Sequence, residues 1–255
     1  MTAVLPDLTV TEAEVRAALG TVVDPELDEP ITDVGFVRSV SVQGGTVEVH
    51  LRLPTSFCAP NFAWLMVSDA HDAVSAVPGV GSVVVELDDH HDSDLINRGM
   101  AAGLGYRGTF GHEAEDSLDE LRATFQRKAH TAAMERAVTA LLRTDPTVDV
   151  AALTLGDLPA GEHTTDALLR RRATLGLPVD DGAPVLVHDD GTRPDSAQAE
   201  MVLRRARSVR ISVDGNAHFC RGLLATRYPG AEADQTPRPE DRPLLSLTVS
   251  KGTHP

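Results

Sequence analysis

The sequence is poor in thiols, poor in positive charge and free of long apolar runs, and each shortage removes a class of function. Among 255 residues there are two cysteines, Cys58 and Cys220. Two thiols cannot build a disulfide framework, so each must be explained as a reduced, useful group or as packing. Lys and Arg number 23 against 38 Asp and Glu, a formal net charge of −15. A surface of that sign is repelled by nucleic-acid phosphates and anionic lipid heads. No apolar run approaches the ~20 residues that cross a bilayer. The opening MTAVLPDLTVTEAEVRAALG has no basic segment followed by an apolar core. Together these features predict a cytoplasmic protein with no nucleic-acid and no membrane partner. The chain also has no internal repeat, GxSxG elbow, Walker loop, GxGxxG turn after a strand, HExxH helix or ExxH pair. The usual signatures of an enzyme are missing, which favours an accessory or assembly role.

What is present is most legible in the first third. Thr11-Glu12-Ala13-Glu14 has the form of a capping box and predicts a short helix that buries Val15, Ala18 and Leu19. The segment DPELDEPITDVG, residues 24–35, is rich in turn formers, and Pro25 and Pro30 forbid a helix. FVRSVSVQGGTVEVHLRL reads as a hairpin about Gly44-Gly45. It places Val47, Val49, Leu51 and Leu53 on one face and Glu48, His50 and Arg52 on the other. From Asn61 to Val77 the period becomes helical, Pro78-Gly79 ends that helix, and residues 80–87 form a third strand. The predicted fold class is α+β: an α-β-β-α-β two-layer domain over residues 1–92, then a mostly helical region over 93–255. In the second region helices are predicted over 94–102, 116–143, 165–173 and 196–207, strands over 184–187, 209–213 and 244–250, a glycine-broken loop over 106–111, and a surface linker over 233–243.

The stretch PTSFCAPNF places Cys58 where a strand gives way to a helix. Free backbone N–H groups and the positive end of the helix stabilise an anion there. A thiolate so placed is a stronger nucleophile and soft-metal ligand. Thr55 and Ser56 are positioned to donate hydrogen bonds to its sulfur, and Pro60 suits the first helical turn. The alternative is a cysteine packed under the helix. The second thiol lies in DGNAHFCRGLL, with His218 two residues before Cys220. In a strand these two share a face, and with Cys58 they would make three soft metal ligands. The alternative is a packed cysteine beside a surface histidine.

Four charged clusters also have two readings each. Asp24, Glu26, Asp28, Glu29 and Asp33 supply either oxygen ligands for iron or, more simply, a turn capped by Asp24 with the others solvated. DDHHD, residues 88–92, is either a weak metal site or a polar exit loop. RRR (170–172) and RRAR (204–207) are helix-surface charge or docking patches for an acidic partner.

Taken in order, DPEL (24–27), TDVG (32–35), the hairpin, PTSFCAP (54–60), the helix and the strand led by PGV (78–80) resemble the small iron–sulfur cluster assembly domain of the SufT and PaaD type. That family's pattern is a DPE turn, a DLG-like turn, and a loop with threonine and then cysteine–proline entering a helix. The resemblance covers about residues 10–90. It implies a maturation or repair role for iron-containing enzymes. It makes Cys58 the reactive or cluster-binding residue with Thr55 and Ser56 beside it, iron or an iron–sulfur cluster the transient cargo, and a client iron enzyme the partner. Longer relatives resembling this chain occur beside actinobacterial diiron monooxygenases, which implies a client of that kind. The chain departs from the pattern in placing Ala59 between Cys58 and Pro60, and residues 91–255 have no counterpart in the minimal domain. One thiol in each region cannot hold a four-cysteine cluster in a monomer, so a cluster would need a homodimer, an added histidine or carboxylate, or a partner's ligand. Three functions follow: a maturation factor, a thiol- or metal-dependent enzyme using Cys58, or a metal-free adaptor that binds a client.

Overall fold

The structure, a computed structural model, describes residues 9–111 and 118–237. Helix α1 (Glu12–Leu19) begins with the predicted capping box: Glu14 N–H donates to Thr11 Oγ1 at 3.3 Å, and Thr11 N–H donates to the Glu14 carboxylate at 2.9 Å. Such a cap is worth about 1 kcal/mol. Strands β1 (Val23–Asp24) and β2 (Glu29–Pro30) pair across the acidic turn. The hairpin follows as β3 (Val37–Gln43) and β4 (Thr46–Arg52), turned at Gly44, whose φ of 60° suits a residue without Cβ. Helix α2 (Pro60–Ser75) then crosses to β5 (Ser82–Asp88), which lies parallel to β4, and the sheet order is β3-β4-β5. Val47, Val49, Leu51, Val85 and Leu87 are buried beneath α1 and α2. This is the two-layer α+β unit that the alternation demands.

Arg52 breaks the predicted alternation. It is buried, its Nε donating to Gly35 O at 3.1 Å and its Nη2 to Asp234 at 2.5 Å, drawn inward by partners far along the chain.

Beyond β5 the chain is helical, with α3 (Ser93–Ala101), α4 (Tyr106–Phe110), α5 (Leu118–Thr144), α6 (His163–Thr174) and α7 (Ser196–Arg227). Residues 106–110 are helix where glycine content predicts a loop. Tyr106 and Phe110, one turn apart, pack at 4.9 Å and both face Trp64, which outweighs the glycine. The larger correction is α7: residues 209–213 and the whole of HFC lie within one helix of 32 residues, not in strands. The β-branched residues favour a strand only locally. Ala199, Ala206, Val213, Ala217 and Leu224 recur on one buried face, and Arg210 pairs with Asp214 across a turn at 2.8 Å. Residues 184–187 contribute a single isolated bridge, Thr154 to Pro184, instead of a strand. The strand predicted over 244–250 lies outside the described residues. The start of the predicted linker is pinned: Asp234 meets Arg52, and Thr236 N–H donates to Asp33 O at 2.8 Å.

Two hydrophobic clusters result. One fills the space between the sheet, α1 and α2 and takes in Ala217 and Leu224 of α7. The other joins α5, α6 and α7 around Val185, Leu186 and Val187. Helix α7 therefore belongs to both. It docks at Gly35, where φ is 80° and a Cβ would stand 3.2 Å from Leu224 Cδ2.

The acidic turn forms the seam between these parts. Asp24 Oδ1 accepts from the N–H groups of Glu26 and Leu27, both at 2.9 Å, as the capping reading predicts. Three of its acidic neighbours are engaged by side chains from the helical region rather than solvated. Asp28 accepts from Arg171 Nη2 at 2.6 Å and lies 4.0 Å from Arg136, Glu29 pairs with Arg221, and Glu26 accepts from Asn216 at 3.2 Å. Of the 170–172 cluster, only Arg170 stays on the surface. Arg172 is fully buried and donates to Pro178 O at 2.7 Å and Pro184 O at 2.9 Å. In the 204–207 cluster, Arg207 reaches the buried Glu135 at 3.1 Å, while Arg204 and Arg205 are exposed. Arg172→Met should therefore cost about 2–4 kcal/mol, because it strands buried carbonyls that had a charged donor. A urea titration would show this as a lower midpoint, and exposed Arg170→Met should change stability by less than about 0.5 kcal/mol.

Candidate functional site

Cys58 sits in the loop between β4 and α2, half-buried against the N-terminal core. Ala59 occupies the N-cap, so no side chain caps the helix, and its first turn holds Pro60 and no acid. The predicted contact from Thr55 is present, with Oγ1 3.5 Å from Cys58 Sγ. Phe57 N–H donates to the same Oγ1 at 3.2 Å, which holds the hydroxyl beside the sulfur. Ser56 is a correction: its Oγ accepts from Arg227 Nη2 at 2.8 Å instead of meeting Cys58, because α7 brings a guanidinium to that side of the loop.

The loop is braced from two directions. His90 is buried; its Nδ1 accepts from Asp92 N–H at 3.1 Å, so Nε2 carries the proton and donates to Cys58 O at 2.8 Å. His91 N–H donates to Ser56 O at 2.9 Å. From α7, Arg227 donates to Leu53 O at 3.0 Å and also to Asp89 O. DDHHD is thus a structural exit loop whose histidine supports the cysteine. Arg227 escapes sequence reasoning altogether, since 171 residues separate it from Ser56.

Cys220 approaches from the other side. On α7, Asn216 one turn earlier binds Glu26, and Arg227 two turns later clamps the Cys58 loop. Residues four and seven apart lie on nearly the same helix face, about 6 Å and 10 Å along the axis. Cys220 therefore lies on the face between the acidic turn and the loop, half-buried against the same core as Cys58. Burial pushes its thiol up to about 12, and the charges of Asp24, Cys58 and Glu26 add to the rise. The two thiols are thus within electrostatic reach. Burial also raises the Asp24 carboxyl to about 6, against the pull of its two N–H donors, with Glu26 and Glu29 adding to the rise.

The three-ligand metal site of Cys58, His218 and Cys220 is not assembled. In a helix, residues two apart point about 200° away from each other. His218 is exposed while Cys220 faces inward. Among the described residues, no three His, Cys, Asp or Glu side chains gather in a geometry that could hold a metal ion. Among the same residues, no helix is long and apolar enough to cross a membrane.

Two measurements follow from these environments. A thiol near 12 is almost wholly protonated at pH 8, so Cys220 should alkylate more than tenfold slower than a peptide thiol. Its rate should climb steadily from pH 8 to 11 without a plateau, as peptide mapping after timed iodoacetamide treatment would show. For Asp24, a folded pKa above the unfolded 3.8 means stability present at low pH is lost as pH rises through about 6. Asp24→Asn keeps an acceptor for both N–H groups and removes the charge. The variant should lose that decline between pH 4 and 6 and be the more stable of the two at pH 7.5, measured by thermal unfolding.

Comparison with known proteins agrees with this geometry. A family described as iron-sulfur cluster assembly protein matches residues 12–86. An iron–sulfur cluster carrier protein of Mycobacterium tuberculosis is 39% identical over 77 residues, 30% of this chain and 20% of the relative. Its counterpart in Synechocystis is 35% identical over 78 residues, 31% of this chain and 22% of that protein. The chain thus spans about a fifth of the length of these carriers. An uncharacterized protein of Methanocaldococcus jannaschii is 35% identical over 89 residues, 34% of this chain and 92% of the relative. With the acidic turn, the hairpin, the cysteine loop and the crossover helix all inside the matched span, the chain belongs to the iron–sulfur cluster assembly protein family.

Proposed function

We propose that this protein is a maturation factor that accepts iron–sulfur clusters and hands them on, with the Cys58 thiol as its contact to the cargo and an iron enzyme as its client. The observation that carries the reading is the placement of Cys58. It is a half-buried thiol at an uncapped helix start, in a loop held by His90 and Arg227, within the span that matches the assembly family. Thiolate sulfur is the ligand that cluster iron takes most readily. A braced loop keeps that sulfur in one position, so exchange needs little reordering. The relatives named as carriers support a cluster as the cargo. The resemblance to proteins found beside diiron monooxygenases supports a client of that kind. Arg204 and Arg205, exposed on α7 of an otherwise acidic chain, suit an acidic face on the client. These roles make the protein an accessory factor, and its cluster is a substrate in transit.

The test uses a [2Fe–2S] cluster ligated by four small thiolates as donor and an apo-ferredoxin as acceptor. Wild-type protein should accelerate ferredoxin loading. Cys58→Ser, which replaces one atom, should fold with an unchanged circular dichroism spectrum and load ferredoxin at least tenfold more slowly, at the rate of the free donor. Full acceleration by the serine variant would end the thiol reading and leave client binding as the function.

A further inference from the structure

We infer that the groove between α5 and α7 is a docking site for an acidic segment of the client, one that carries apolar residues among its carboxylates. The inference rests on the client-binding part of the proposed function. It makes no use of the cluster and lies wholly outside the span matched by the assembly family.

Three observations carry it. First, the groove is a cleft of about 670 Å³ walled by one face of each helix. Arg127, Lys128 and Thr131 line it from α5, and Val202, Arg205 and Val209 from α7, each set at helical spacing. Met134 and Val187, both buried, close its base. Second, its cations are left open. Arg127 donates to Thr124 Oγ1 at 3.1 Å, and Lys128 Nζ lies 4.4 Å from the centre of the Phe125 ring. Among the described residues no carboxylate pairs with Arg127, Lys128 or Arg205. Close by on α7, Arg207 and Arg210 are neutralised by Glu135, and Arg210 by Asp214 as well. A chain with 38 acidic and 23 basic residues thus leaves three cations unpaired on one groove. Like charges brought together from two packed helices repel, and a bound anion relieves that repulsion. Third, the acidic residues of the groove come from elsewhere. Asp189 and Asp190 belong to the loop before α7, and the Asp190 carboxylate accepts from Thr192 N–H at 2.9 Å and Thr192 Oγ1 at 2.6 Å. The helices therefore supply the positive side, and the loop a negative end.

The form of the groove selects a polypeptide. Lys128, Asp189, Asp190 and Arg205 are exposed at its rim, so it is open to solvent. A small-molecule pocket encloses most of its ligand's surface. An open groove with a cationic rim and an apolar base suits a length of chain that lays carboxylates on the rim and apolar side chains on the base. Arg205 also stands about 33 Å along α7 from Arg227, which clamps the cysteine loop. A client held there by its acidic segment leaves Cys58 clear, and the part of the client that takes the cluster is free to approach the thiol.

The test is fluorescence anisotropy with a short labelled peptide of glutamates carrying leucine at every third position, titrated with the full, iron-free chain at physiological salt. Wild-type protein should bind it, and more weakly as salt rises. Arg127→Gln and Arg205→Gln should each weaken binding about fivefold, and the two together more than about tenfold. Arg170→Gln makes the same change in net charge at an exposed residue of α6 and should alter binding by less than about twofold. Cys58→Ser should bind as wild type does, and unchanged unfolding midpoints check that the variants fold. No binding, or equal weakening by Arg170→Gln and Arg205→Gln, would overturn the docking site and leave the Cys58 reading intact. Displacement of the peptide by millimolar inorganic phosphate would overturn it in favour of a small anion. Wild-type dimers in sedimentation that Arg205→Gln separates would overturn it in favour of a second copy. Failure of the Cys58 reading shows instead in ferredoxin loading, which none of these measurements uses.

Discussion

The paired charges along the acidic turn hold the rest of the molecule in place. Asp28 meets Arg171 from α6 and lies 4.0 Å from Arg136 of α5, and Glu29 meets Arg221 from α7. Glu29 is buried, and the Asp28 carboxylate is nearly so. A buried carboxylate without its guanidinium costs several kcal/mol, so the turn admits only arrangements in which all three helices bring their arginines to it. Such pairs add little net stability over an apolar seam. Their effect here is register: they fix where each helix lies along the α+β unit.

Register on α7 is what matters for the candidate site. A shift of one turn would carry Arg227 about 5 Å from the cysteine loop. It would also separate Asn216 from Glu26 and move Cys220 off the face between them. The loop would then keep only the brace supplied by His90 and His91 from the end of β5. The two thiols also differ in kind. Cys58 lies in a loop beside a hydroxyl, at the start of a helix. Cys220 lies inside a helix, where burial first and then nearby negative charge disfavour its ionisation.

Sequence alone reaches far into the first ninety residues because the signals there are local. The capping box of α1 needs residues three apart. The Gly44 turn and the alternation of β4 need neighbours. The change of period at Asn61 announces α2. The cysteine at the start of that helix, its threonine partner and the family's order of motifs are legible for the same reason. Each depends on contacts a few residues long, and local propensity agrees with the fold.

The 3.6-residue period already announces the helices of the second region, but their extent and the α7 side of the site were decided by tertiary contacts. VRISV reads as a strand from its β-branched residues, yet it is helix because one face of α7 packs on two cores at once and Arg210 reaches Asp214. Tyr106–Phe110 is helix because Trp64 waits beside it. Arg52 is buried because a carbonyl and an aspartate far along the chain receive it, and Arg172 because carbonyls of the loop after α6 do. His218 and Cys220 part company because a helix turns 100° per residue where a strand would turn 180°. The sequence determined that a thiol stands at the mouth of an α+β domain. Only the folded chain decided what surrounds it, because its loop is braced by His90 and His91 from beyond β5 and by Arg227 of α7, more than 150 residues further on, through contacts that no local pattern encodes.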